Sequence, residues 1–128
     1  MGTFLFTHLI VDGFDYDEDF NTAYEVLKDK VKIALRESDH YVPNWKNVLS
    51  PKMSTVSNVG NTFYLSPDGS KLGWTTNQEF NMAREEFVQE AMDKEWRIKI
   101  YEVIYGDRQD PHIQVLYDGF RKWDYGDE

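Results

Sequence analysis

The sequence predicts an α+β fold, with two amphipathic helices packed on a mainly antiparallel sheet in the order β-α-loop-ββ-α-ββ. Three observations predict it. Apolar residues alternate at strand spacing near both ends, two windows switch to the three-four spacing of a helix, and turn-forming clusters separate the segments. The simplest topology is a split β-α-β pair in the ferredoxin-like manner with one extra C-terminal strand.

The run Phe4-Leu5-Phe6-Thr7-His8-Leu9-Ile10-Val11 is apolar on both alternating faces, as expected for an interior strand covered on at least part of both sides. Asp12-Gly13 ends it. From Asp17 to about Glu37, Phe20, Ala23, Tyr24, Leu27, Val31, Ala34 and Leu35 form one apolar helical stripe. Acids gather at the start of this helix, and Lys32 and Arg36 lie near its end, as the helix dipole favours.

Residues 38–61 read as a long polar loop containing Pro43, Pro51 and Gly60, with room for a short helix near Asn44–Leu49 or a strand near Ser54–Val59. The segment from Phe63 to Trp74, centred on Ser66-Pro67-Asp68-Gly69-Ser70, reads as a β-hairpin. Thr76-Asn77-Gln78-Glu79 then has the pattern of a capping box for a second helix ending near Glu95. Trp96–Tyr105 and His112–Tyr117 are expected to pair across a turn at Gly106–Pro111. Residues 121–128 are expected to form a flexible acidic tail, and residues 1–128 to form one domain.

Composition narrows function more by exclusion than by motif. With no cysteine, disulfides and thiolate metal sites are excluded. The N-terminal apolar run is interrupted by His8 and Asp12, so no membrane span is expected and the cytoplasm is the expected location. The net charge of −9 disfavours direct nucleic-acid binding unless charge is segregated. It is partly segregated: residues 28–75 carry seven bases against four acids, a net +3, leaving −12 on the remainder.

Asp15, Asp17 and Asp19 have the one-three-five spacing of an EF-hand, but Phe20 stands where glycine is required and Val26 where the bidentate glutamate belongs. Scattered Asp and Glu aside, His8, His40 and His112 lack a second metal-type ligand at i+2 to i+4 that resembles a known site. No catalytic residue, metal site or cofactor is therefore assigned.

Two surfaces stand out. His40, Tyr41, Trp45, Lys46 and Lys52 form an aromatic and basic candidate binding set in the long loop. Asp15, Asp17, Glu18, Asp19, Glu85, Glu86 and Glu90 form a candidate acidic face. The favoured function is a small acidic protein-binding or regulatory module with a protein partner, with self-association through a sheet edge as one form. A second reading is an inhibitor of phage or mobile-element type, whose acidic face occupies a nucleic-acid-binding partner. A third is a small enzyme with a site between the 38–61 loop and the sheet, using Asp39, His40 or His112 as acid–base residues. A fourth is a structural subunit of a larger assembly.

Overall fold

The computed structural model describes residues 4–14, 17–36, 44–54, 60–69, 73–107 and 109–120. Five strands form one antiparallel sheet: β1 (Leu5–Phe14), β2 (Met53–Ser54), β3 (Gly60–Leu65), β4 (Lys99–Gly106) and β5 (Gln109–Asp118). Their spatial order is β2-β3-β1-β4-β5. The helices are α1 (Glu18–Arg36) and α2 (Thr75–Lys94).

Because β3 is antiparallel to both β1 and β2, β1 and β2 run parallel with β3 between them. By the same reasoning β3 and β4 run parallel with β1 between them. The chain thus contains two interleaved split β-α-β units, the ferredoxin-like connectivity, with β5 as the added C-terminal strand.

Strand β1 alternates regularly, with Thr7, Leu9, Val11 and Gly13 buried and the residues between them partly exposed. Leu9 and Val11 meet Leu65 and Phe63 of β3 on one side, and Val11 meets Ile100 of β4 on the other. Phe20, Leu27 and Val31 of α1 and Phe80 and Phe87 of α2 close over this side of the sheet, all fully buried. Burying each such side chain stabilises the fold by about 1.5–3 kcal/mol. Gly13 has a packing role: a Cβ there would lie 2.5 Å from Phe20 Cδ1, so only glycine lets α1 approach the strand this closely.

Both helices end as their sequences direct. Asp17 precedes α1, and its Oδ1 accepts the Asp19 N–H at 2.9 Å. Helix α2 stops at Glu95, whose left-handed backbone (φ 52°) directs its N–H to Met92 and that of Trp96 to Ala91. Trp96 then packs against Phe87, with ring centroids 5.9 Å apart.

Several expectations are corrected. Both edges of β3 are taken, one by β1 and the other by β2, which leaves no edge for the expected 63–74 hairpin, and residues 70–72 of its return strand lie outside the described residues. Trp74 instead occupies the N-cap position of α2. The hairpin partner of β3 is β2, from the expected loop, with Met53 opposite Thr62 and a further bridge from Leu49 to Leu65. The capping box is displaced as well: Thr76 lies inside the helix, no side chain caps it at Trp74, and Gln78 Nε2 reaches back to the Gly73 carbonyl at 3.3 Å.

The proposed short helix exists as a 3-10 turn at Trp45–Asn47, capped by Asn44 Oδ1 accepting the Lys46 N–H. Strand β4 begins at Lys99, later than expected, because Trp96 and Ile98 enter the core without ladder pairing. Residues 121–128 lie outside the described residues, as do Asp15, Asp39, His40 and Tyr41.

Candidate functional site: the open face of the sheet

Directly opposed residues of an antiparallel pair share a face, so the ladder registers place every side chain on one side of the sheet. On the side away from the helices they make four rows. One end row is Met53, Thr62, Asp12, Lys99 and Asp118. Next come Tyr64, Ile10, Tyr101 and Val115, and then His8, Val103 and Ile113. Phe6 and Tyr105 form the other end.

No described element covers this face. Ile113 is 68% exposed, Val115 50% and Tyr64 41%, values far from those of a core. The expectation that β1 is covered on part of both sides therefore holds only for its helix-facing side among the described residues. Five of the face residues (His8, Ile10, Thr62, Tyr64 and Val103) and Met53 border a shallow apolar depression of about 260 Å³.

The aromatic groups along the edge of the face are ordered against one another. Phe4 stacks on Phe6 at 5.8 Å, Phe6 meets Tyr105 at 5.3 Å, and His8 stacks on Tyr105 at 5.6 Å. His8 Nε2 also lies 3.2 Å from the Tyr105 hydroxyl, and partial burial holds its imidazole below the usual histidine pKa. The centre of the face is thus uncharged. Among the described residues formal charge sits at the two ends of the face, where Lys99 and Asp118 approach to 3.8 Å at one end and Asp107 Oδ2 accepts the Phe4 N–H at 3.1 Å at the other.

The residues singled out in the sequence fall in different places. Trp45 packs against the core from the 3-10 turn, and the ammonium groups of Lys28, Lys32 and Lys46 surround its ring at 5.2, 5.7 and 5.7 Å from the centroid. Lys52 Nζ donates to Asn21 Oδ1 at 2.9 Å and lies 5.5 Å from the Tyr24 ring. Trp45, Lys46 and Lys52 therefore do gather, along the side of α1, with Lys28 and Lys32 added to them. Trp45 also serves as the anchor of the wandering segment.

The acidic set is divided. Asp17 approaches Arg97 at 3.8 Å, and Asp19 Oδ2 accepts the Arg97 backbone N–H at 2.8 Å, which ties α1 to the entry of β4. On α2, Glu86 and Glu90 both face Lys30 of α1, and Glu90 also pairs with Lys94 at 2.8 Å. These hydrogen bonds with Lys94 and Lys30 hold the Glu90 carboxyl below its ordinary pKa. Glu18 and Glu85 are exposed.

His112 lies opposite Ile104, on the helix side of the edge strand β5, and is exposed. No group of three His, Asp or Glu side chains suited to a metal ion occurs among the described residues, and none of their helices is long and apolar enough to cross a membrane. No protein-family model, curated protein or solved structure matches the chain.

The open face is not foreseen from the sequence. One signal for it is present there: apolar side chains occupy even positions at Trp96, Ile98 and Ile100, then odd positions at Tyr101, Val103 and Tyr105. A strand whose apolar phase switches in this way has two apolar faces, and two helices suffice to cover only one.

Proposed function

We propose that the chain is a protein-binding module and that the open face of the sheet is its docking surface. The observation that carries this reading is the uncovered block of uncharged side chains from Phe6 and Tyr105 to Tyr64 and Val115. Contiguous apolar surface of several hundred Å² on a small protein marks an interaction site. An uncharged centre with charge toward its ends is also the usual anatomy of a protein interface.

Competing functions have less support. Nucleic acid requires cations, and among the described residues the one cation of the face is Lys99, beside Asp118. An inhibitor that mimics nucleic acid needs carboxylates turned toward its partner. Here Asp17, Asp19, Glu86 and Glu90 are engaged within the chain. An enzyme needs converging acid–base groups; of its candidates Asp39 and His40 lie outside the described residues, and His112 lies on the opposite side of the sheet from His8.

The test separates side chains kept for binding from side chains kept for folding. Ile113→Thr and Val115→Thr retain β-branching but remove apolar surface. In urea unfolding at low protein concentration, each is expected to change stability by less than about 0.5 kcal/mol. A loss above about 2 kcal/mol would make these residues part of the fold and remove the basis of the proposal.

A further inference from the structure

Resting on that reading, we infer that the partner is a second copy of this chain, with the two open faces packed against each other about a two-fold axis. Area, charge and the condition of the sheet edge support this occupant.

The eight residue pairs between β1 and β4 extend about 26 Å, and four strand spacings from β2 to β5 add about 19 Å across. The projected face is therefore about 500 Å², and side chains raise the accessible area above its projection. A standard specific interface takes about 800 Å² from each partner. A second sheet of the same shape reaches that order, whereas one extended peptide strand would cover only a fraction of the face. Sheets packed in this way lie about 10 Å apart with strands roughly aligned.

Two copies of a chain carrying −9 repel each other overall, and a surface whose own centre lacks charge is one through which they can approach. The open face provides one, since among the described residues its charges sit at its two ends, Asp12, Lys99 and Asp118 at one and Asp107 at the other. A two-fold axis lying between the sheets and crossing the strands near His8, Val103 and Ile113 sets the Lys99 end of each copy over the Asp107 end of the other. The contact is isologous, so each side chain meets the face of its own kind.

Association through the face is preferred to edge pairing because the exposed edge is poorly suited to a new ladder. β5 contains Pro111, which has no N–H to donate, and its register with β4 shifts twice, between Ile100 and Tyr101 and between Ile104 and Gly106. Prolines and bulges of this kind are what natural sheets use to discourage edge-to-edge pairing.

A face of this size lies at the small, weak end of specific interfaces, so sedimentation equilibrium of the full chain from about 1 to 500 µM reads the association. The expected result is a monomer–dimer equilibrium that tightens as salt is raised, because salt screens the repulsion between acidic copies. Ile113→Lys, at the most exposed apolar position, is expected to weaken it at least tenfold while leaving the circular dichroism spectrum unchanged. Tyr64→Lys, on a different strand, is expected to do the same, and Ile33→Lys, the same charge change at an exposed position of α1, to leave the association unchanged. A monomer throughout the range would overturn the inference, as would a dimer indifferent to both Ile113→Lys and Tyr64→Lys. The docking face itself fails by a different measurement, the destabilisation of the monomer by the threonine variants.

Discussion

His8 Nε2 and the Tyr105 hydroxyl lie 3.2 Å apart on the open face, joined across the β1–β4 ladder with their rings stacked at 5.6 Å. Partial burial lowers the His8 pKa from its reference of 6.5, so the unfolded chain takes up the proton first on acidification. Between the two pKa values the unfolded state holds more protons, and stability therefore rises with pH. The contribution is complete above about 6.5 and is lost as pH falls below it toward the folded value. Urea unfolding at several pH values from neutral downward should show a steeper loss for the native chain than for His8→Phe. Equal slopes would mean that His8 titrates as it does in the unfolded chain.

Gly13 and Phe20 set the approach of α1 to the sheet. In Gly13→Ala the new methyl would sit 2.5 Å from a fully buried ring, so ring and helix must move. The expected cost is about 1–3 kcal/mol of unfolding free energy, readable by thermal or urea denaturation. A neutral outcome would show that this side of the core is looser than the packing implies.

Arg84 is a buried cation on the core side of α2. It donates to Asn81 Oδ1, Nη1 has no partner, and burial lowers its pKa. Replacing a buried charge by an apolar side chain of similar volume is often neutral or stabilising. Arg84→Met is therefore expected to match or exceed the native stability in urea unfolding, while Arg84→Ala, which leaves a cavity, is expected to lose about 1–3 kcal/mol. A large loss in Arg84→Met would mean that the guanidinium attracts Asp68 and Glu102 strongly enough to outweigh its desolvation.

Trp45 joins the 3-10 turn to the core, and its ring is flanked by three lysines. Trp45→Ala should lose about 1–3 kcal/mol through packing and cation–π contacts. Lys46→Ala, at an exposed position, should stay within about 0.5 kcal/mol in the same denaturation experiment.

The element order is legible in the sequence because Phe20, Leu27 and Val31 repeat at helical spacing and Leu9 and Val11 at strand spacing. The partner of β3 is not. Pro67-Asp68-Gly69 is a sound local turn signal, but the edges of β3 are filled by β1, distant in sequence, and by Met53–Ser54 on its N-terminal side. The candidate site is concealed for a related reason. Ile10, Tyr64, Val103 and Ile113 come from four strands and form one surface only once the register is set. Trp45, Lys46 and Lys52 are visible early because they are neighbours in the chain, although Lys28 and Lys32 of α1 complete their cluster.

The docking face can be read most directly by intermolecular nuclear Overhauser effects in a mixture of isotopically labelled and unlabelled chains at high concentration. The account predicts cross-peaks between copies from Ile10, Tyr64, Val103 and Ile113, with none from Glu86 on α2 or Lys32 on α1. Cross-peaks from the helices instead, or no cross-peaks from the sheet face, would contradict it.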